Sequence, residues 1–146
     1  MHNAALDGSV DKMITSADEF VRLRTSDMIE EQERATNDTA DISTWTEVID
    51  RYPDYKHWVV HNKTVPIEIL EVLSLDKDAI VRQAVARKRK INDKIFLTLS
   101  QDKDENVRYA LICNTNLDDY QLKQIATDDS HWLTNKLRER LTRHSA

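Results

Sequence analysis

The chain has few of the residues on which tight turns and disulfides depend. Its 146 residues include one glycine, two prolines and one cysteine. One glycine is too few for a series of β-hairpins and cannot form a phosphate-binding loop. One cysteine cannot form an internal disulfide. Long apolar runs are also missing, so we expect no transmembrane helix. The abundant Leu, Ala, Glu, Lys, Arg and Gln predict an all-helical chain.

The charge is unevenly distributed along the chain. The formal net charge is -5, but residues 1–41 hold 10 acids and 4 bases, whereas residues 42–146 hold 16 acids and 17 bases. This pattern predicts an acidic N-terminal arm over 1–41 and a nearly neutral domain over 42–146. Neither balance favours a general attraction to nucleic acid or to anionic lipid.

The first residues predict a cytoplasmic location. The opening segment, MHNAALDGSVDK, lacks both the basic region and the apolar stretch of a signal peptide. The lone Cys113 is compatible with a reducing compartment. We therefore expect a cytoplasmic protein that does not contact a membrane.

A repeat of 26 residues organises the chain from about Ile42 onwards. In its clearest copies Ile69, Leu70, Leu73, Val81, Ala84 and Val85 recur as Ile95, Phe96, Leu99, Val107, Ala110 and Leu111. Each copy divides into a helix A and a helix B, which we place at about 66–75 and 79–88, and again at about 93–101 and 105–114. A fixed period of this length predicts an α-solenoid, here of about four helical pairs.

A capping helix is predicted ahead of the repeats. The segment Ser16-Ala17-Asp18-Glu19 has the pattern of a capping box. In such a box Ser16 accepts a hydrogen bond from the amide of Glu19, whose side chain returns to the amide of Ser16. We expect Phe20 to pack on the first repeat, because an open solenoid end would expose apolar surface. At the other end, Trp132 and Leu133 are expected to pack inward.

Charged residues that recur at the period favour a structural role. Asp76, Asp102 and Asp128 could form a row of acid or base groups, and Arg82 with Arg108 could clamp an anion. Their recurrence instead predicts aspartates that cap helix B and arginines that pair with carboxylates of a neighbouring repeat.

No catalytic or metal-binding constellation stands out. His57 and His61 are spaced i, i+4 and could reach one metal ion, but the segment lacks a glutamate and no further ligand is evident. Cys113 has no histidine partner by repeat geometry. We therefore expect no metal, no cofactor and no enzymatic activity.

Binding is predicted on the side of helix B that faces away from helix A, which lines the concave surface of an α-solenoid. Arg, Tyr and His mixed with apolar residues are typical of an interface. The alternative is that Val60 and Ile112 form a second layer of the core. The predicted partner-binding residues are Lys56, His57, His61, Arg82, Arg87, Arg108, Tyr109 and Ile112.

A basic segment over residues 82–94 offers a different interpretation. It predicts phosphate contacts from Arg82, Arg87, Lys88, Arg89 and Lys90, and so a nucleic-acid-binding protein. However, the run lies at the end of helix B, where cations complement the helix dipole. The other copies do not repeat this basicity.

The repeat motif also carries a family resemblance. The pattern Asp76-x-Asp78-x-x-Val81-Arg82-x-x-Val85-Ala86, repeated from Asp102 to Ala110, resembles the leucine-rich repeat variant and related HEAT-type repeats of bacteria, over residues 42 to 141. The resemblance implies a right-handed helical array that serves as a binding scaffold, and it names no ligand. One leucine-rich repeat variant protein holds an iron-sulfur cluster, which needs a cysteine cluster that is missing here.

Together these observations predict a non-enzymatic, protein-binding helical repeat module. Its size, its lack of a catalytic constellation and the family resemblance suggest a more specific hypothesis. The chain would be an inhibitor or immunity protein that blocks a bacterial toxin. The alternative is a nucleic-acid-binding HEAT-like protein.

Overall fold

The computed structural model describes residues 13–145, and these residues are mostly helical. The helices are α1 (Ala17–Arg24), α2 (Ile29–Asn37), α3 (Ile42–Arg51), α4 (Lys56–His61), α5 (Ile67–Leu73), α6 (Ala79–Ala86), α7 (Asp93–Ser100), α8 (Glu105–Ile112), α9 (Asp119–Leu122) and α10 (His131–Ser145), with a short 3-10 helix at Pro53–Tyr55. The prediction of a helical chain is confirmed. None of the helices in this part of the chain is long and apolar enough to span a membrane.

A short parallel sheet is the one element of regular secondary structure among the described residues that is not a helix. It pairs β1 (Met13–Ile14) with β2 (Thr39–Ala40), in the register Met13 to Thr39 and Ile14 to Ala40. Strands of two residues are too short to show an alternating pattern, so this sheet could not be predicted.

The chain forms two compact units, Met1–Ile69 and Leu70–Ala146. They are described separately below. The division at residue 41, which follows charge and repeat pattern, stays a prediction.

In the first unit, α1 packs against α2 and α3. Phe20 and Trp45 are fully buried, and their rings meet edge to face with centroids 5.1 Å apart. This contact confirms the expected packing of Phe20 on the first repeat. Aromatic pairs in this geometry stabilise a core beyond the area that they bury.

The capping box of α1 is only half as predicted. Ser16 accepts from the amide of Glu19 at 3.0 Å. The carboxylate of Glu19, however, accepts from the amide of Thr15 at 2.8 Å rather than from that of Ser16. It also lies 3.6 Å from the guanidinium of Arg34, which attracts it towards α2.

In the second unit, α8 packs against α6, α7 and α10. The helices follow the predicted pairs with bounds that differ by one or two residues. Apolar residues at the repeated positions form the core: Leu70, Leu73, Val85, Ile95, Phe96, Leu99, Val107, Ala110 and Leu111 are all buried.

An aspartate caps helix B in both clear copies, as predicted, but it is the second aspartate of each turn rather than Asp76 or Asp102. Asp78 accepts from the amide of Ile80 at 2.9 Å, and Asp104 accepts from that of Asn106 at 2.8 Å. The preceding aspartates shape the turn, since Asp76 and Asp102 accept from the amides two residues on. Each copy therefore uses its two aspartates for different tasks.

The predicted pairing of the repeated arginines is also confirmed. Nε and Nη2 of Arg82 donate to the two carboxylate oxygens of Asp102 at 2.7 and 3.2 Å. Both terminal nitrogens of Arg108 donate to Asp129 at 2.8 and 2.9 Å. The two arginines are buried, with 8% and 2% of their surface exposed.

The third aspartate of the predicted row, Asp128, does not pair with an arginine of the described residues. Asp128 is exposed and forms no ion pair within the described residues. Its neighbour Asp129 is the partner of Arg108 instead. The acceptor of Arg108 therefore lies one position later than the 26-residue period predicts.

Buried polar side chains recur at a register that the sequence analysis overlooked. Asn62 donates to the carbonyls of Ala35 and Asp38 at 2.8 and 3.0 Å. Two periods later, Asn114 donates to those of Ala86 and Lys88, both at 2.9 Å.

One further period on, Arg140 lies at the same register. It donates to the carbonyl of Ile112, 28 residues before it, just as Asn114 reaches Ala86. These contacts satisfy carbonyls that a helix leaves open at its C-terminal end. Polar residues at 62, 88, 114 and 140 were the signal that could have predicted the register.

Candidate binding surfaces

The structure divides the predicted partner-binding residues into buried and accessible ones. Arg82 and Arg108 are buried by their ion pairs, and Ile112 is 2% exposed within the core. Val60 is 1% exposed, so the alternative of a second core layer is confirmed for Val60 and Ile112. The accessible predicted residues are Lys56, His57, His61, Arg87 and Tyr109.

Two repeat positions account for most of the accessible side chains. His57 and Tyr109 occupy one of them, and His61, Arg87 and Cys113 occupy the other. In the second unit, the positions beside them hold the buried side chains of Arg82, Arg108 and Ile112. The repeat thus exposes a narrower strip of helix B than its spacing alone predicts.

In the first unit, this strip surrounds Trp58. The guanidinium carbon of Arg24 lies 4.2 Å from the centre of the Trp58 ring, a cation-π contact. The rings of His57 and His61 lie 4.7 and 5.5 Å from the same ring. A cleft of about 560 Å³ opens beside Trp58 and His61 and continues along α2 past Ile29, Glu33 and Asn37.

The two histidines do not form a metal site with a third ligand. No group of three His, Cys, Asp or Glu side chains within the described residues is arranged to hold a metal ion. Trp58 lies in contact with both imidazoles instead. The contact of Arg24 with Trp58 could not be read from the sequence, since it joins two helices with no periodic relation.

In the second unit, Tyr109 belongs to an aromatic surface patch with Cys113 and Trp132, here called the Tyr109–Trp132 patch. The two rings lie 4.9 Å apart. Trp132 is 40% exposed, so the expectation that it packs inward is wrong, whereas the same expectation for Leu133 is confirmed, because Leu133 is fully buried. A hydrogen bond with the exposed Cys113 raises the pKa of the Tyr109 hydroxyl.

The basic run has a backbone held by two asparagines. The side chains of Asn114 and Asn116 donate to the carbonyls of Lys88 and Arg89 at 2.9 and 2.6 Å. Arg87, Arg89 and Lys90 are exposed, whereas Arg82 is already paired.

Lys88 is a weaker cation than its neighbours in the run. Burial, together with the charge of Lys90, lowers the pKa of its amine to about 8. Lys94, at the end of the predicted patch, lies 3.9 Å from Glu71. The run therefore offers fewer phosphate contacts than its sequence suggests.

No protein-family model, curated protein or solved structure matches this chain. The resemblance to HEAT-type and leucine-rich repeat variant proteins stays a prediction.

Proposed function

We propose that this chain is a non-enzymatic, protein-binding module of about four HEAT-like repeats arranged as a right-handed α-solenoid. The observation that carries the proposal is the Tyr109–Trp132 patch, which includes Tyr109 of the residues predicted to bind. In the first unit, His57 occupies the repeat position of Tyr109 and is also accessible.

Repeated contacts support the repeat assignment. In two successive copies an aspartate shapes the turn, a second aspartate caps helix B, and a buried arginine four residues later pairs with a carboxylate further along the chain. The contacts of the two aspartates recur 26 positions later, whereas the acceptor of the arginine moves by one position in the second copy. Such regular contacts are expected where each repeat packs mainly on its neighbours.

The composition of the patch supports protein binding. Tyrosine and tryptophan are enriched among the residues that contribute most to protein interfaces. Their rings present a large, stiff apolar area, and the hydroxyl or indole nitrogen can still donate a hydrogen bond. Trp132 holds Tyr109 at 4.9 Å, so a partner would meet a surface that is already ordered.

As the more specific use of this module, we propose the inhibition of a bacterial toxin by covering its surface. This use is supported by the small size of the chain and by the resemblance to bacterial repeat proteins. An inhibitor of this kind requires a stable surface and no chemistry of its own.

The proposal is tested with the tagged full chain in a lysate of its own source, treated with nuclease. We expect one protein to be retained in an amount equimolar with the tagged chain. The Tyr109→Ala/Trp132→Ala variant should bind the purified partner at least about tenfold more weakly, as is usual when central interface residues are truncated to alanine. The control is Leu75→Ala, which truncates an apolar side chain that is 72% exposed at the end of α5.

Retention of the same partner by both variants would contradict the role of the patch. Retention of nucleic acid alone, or loss of every protein on nuclease treatment, would contradict protein binding altogether. Toxicity of the partner, relieved by co-expression of the wild-type chain but not of the patch variant, would support inhibition of a toxin.

A second candidate, nucleic-acid binding, has one observation in its favour. Arg87 and Arg89 are exposed and form no ion pair with the described residues, on a turn that Asn114 and Asn116 hold in place. Cations on an ordered turn suit phosphate contacts.

A further inference from the structure

A second cleft lies on the helix A side of the second unit, between α7 and α9. It has a volume of about 380 Å³, and its lining includes Phe96, Leu97, Tyr120 and Gln121 together with Asp93 and Asp118. None of the residues of the Tyr109–Trp132 patch belongs to it. It is therefore a separate surface from the one proposed above.

Two large apolar side chains that line this cleft are exposed. Leu97 is 56% exposed and Tyr120 is 74% exposed, while Phe96, at 3%, closes the cleft towards the core. Single exposed apolar residues are ordinary on protein surfaces. Two of them lining one concave site, one of them a tyrosine, match the composition of an interface centre.

The charged residues lining the cleft are all acidic. Asp118 is partly engaged, because it accepts from the amide of Gln121 at 2.8 Å. The side chain of Gln121 accepts from the amide of Asp118, and that of Gln124 donates to the carbonyl of Tyr120. Asp93, in the first turn of α7, forms no hydrogen bond or ion pair through its side chain with any described residue.

We propose that this cleft docks a basic side chain of a partner polypeptide, an arginine flanked by an apolar residue. A planar guanidinium can pair with the carboxylate of Asp93 through two hydrogen bonds and stack on the ring of Tyr120. Its alkyl stem would cover Phe96, and the apolar neighbour would cover Leu97. The inference rests on the proposed function, because the arginine belongs to a protein partner.

The test uses a blocked leucine-arginine-leucine tripeptide as the probe, titrated into the isotope-labelled full chain at low salt and followed by amide chemical shifts. We expect shifts confined to α7 and α9. The same peptide with citrulline in place of arginine, which keeps the shape and removes the charge, should bind about two- to fivefold more weakly, as for an exposed charge pair.

Two variants and two controls locate the site. Asp93→Asn should weaken the arginine peptide about two- to fivefold and remove the preference over citrulline. Tyr120→Ala should weaken both peptides. The control Asp128→Asn removes an exposed acid of the same unit and should change nothing. The patch variant Tyr109→Ala/Trp132→Ala should also bind the tripeptide normally, so a failure of this inference is distinct from a failure of the proposed function.

Three outcomes would overturn the proposal. The first is equal binding of the arginine and citrulline peptides. The second is a pattern of shifts that spreads away from α7 and α9 or survives Asp93→Asn unchanged. The third is a shift of the Leu97 and Tyr120 amides with protein concentration alone, accompanied by a doubled mass in solution, because the occupant would then be a second copy of this chain.

Discussion

At the scale of single residues, the ion pair of Arg82 with Asp102 separates structural from functional charge. Both side chains are at most 10% exposed, and the hydrogen bond that Arg82 donates to Asp102 raises the pKa of the Arg82 guanidinium. A buried arginine that keeps its charge requires a partner, because water cannot solvate it. The same residue therefore has little left to offer to an anion or to a binding partner.

We predict that Asp102→Asn lowers the free energy of unfolding by about 3–5 kcal/mol, the usual cost of leaving a buried charge without its partner. Asn keeps the shape and can still accept from the amide of Asp104. The measurement is urea unfolding followed by circular dichroism.

The chain contains its own control for this prediction. Asp128 occupies the same repeat position one period later, is exposed, and forms no ion pair within residues 13–143. Asp128→Asn should change the free energy of unfolding by less than about 0.5 kcal/mol, as most surface substitutions do. Equal losses from the two variants would mean that the period, rather than the observed contact, determines the role of these aspartates.

At the scale of elements, Asn62, Asn114 and Arg140 share one register, and each donates to a carbonyl near the C-terminal end of an earlier helix. Lys88 occupies the same register between Asn62 and Asn114. The neutral amide of an asparagine can donate to buried carbonyls without bringing a charge out of water. The amine of a half-buried lysine is charged, and burial removes part of the water that stabilises this charge. This difference explains why burial is the main cause of the lowered pKa of Lys88.

Lys88 should give the chain a distinctive dependence of stability on pH. Its pKa is about 8 in the folded chain, against an ordinary value of 10.5. Between these values the unfolded chain binds more protons than the folded one, so the contribution of Lys88 to stability rises with pH across this window and is lowest below pH 8. Because the amine is half-exposed, we expect a change of only about 1 kcal/mol.

The measurement compares the wild type with Lys88→Met by urea unfolding at pH 7.5 and pH 10. The difference, wild type minus variant, should increase by about 1 kcal/mol at the higher pH. Lys103→Met, at an exposed position, is the control and should show no such change. A difference that stays constant or falls with pH would mean that burial does not disfavour the charge of Lys88.

The same elements show how far the sequence could predict the structure. The helical pairs, the capping aspartates and the pairing of Arg82 were predictable, because each pattern occurs again 26 residues later. An assignment of helix or turn that is uncertain in one copy is supported by the same pattern in the next. The sheet of Ile14 with Ala40 was not predictable, because a pairing of two residues per strand leaves no local pattern. The register of Asn62 was overlooked, although polar residues recur there at 62, 88, 114 and 140.

The candidate site was predictable only in outline. Spacing placed Tyr109 and His57 on one side of helix B, and both are accessible. It could not place Trp132 beside Tyr109 or Arg24 over Trp58, because these contacts join elements with no periodic relation.

At the scale of the whole molecule, the charge distribution bears on the choice between protein and nucleic-acid partners. Residues 1–69 carry a net charge of -7, and residues 70–146 carry +2. Neither balance creates the strong positive field that draws a protein to a polyanion. The basic run is thus a local feature of a molecule whose overall charge opposes nucleic-acid binding.

We predict that the full chain does not bind duplex DNA or single-stranded RNA of about 20 nucleotides at physiological salt. Any binding at low salt should have a slope of log affinity against log salt no steeper than about -3, since Arg87, Arg89 and Lys90 are the exposed cations of the run and each phosphate contact contributes about -0.9 on duplex DNA. The measurement is fluorescence anisotropy of labelled oligonucleotides over a salt series.

Charge reversal identifies the residues behind any binding at low salt. Arg87→Glu/Arg89→Glu should abolish it, whereas the control Lys103→Glu/Lys123→Glu, which reverses two exposed lysines outside the run, should reduce it only through the net charge. A different result would be submicromolar binding at physiological salt, with a slope of log affinity against log salt of about -6 or steeper. Such a slope would require about twice as many phosphate contacts as the exposed cations of the run can make. That result would make nucleic acid the partner. The Tyr109–Trp132 patch would then be a surface on which bases stack, and Tyr109→Ala should lower the affinity without changing the slope of log affinity against log salt.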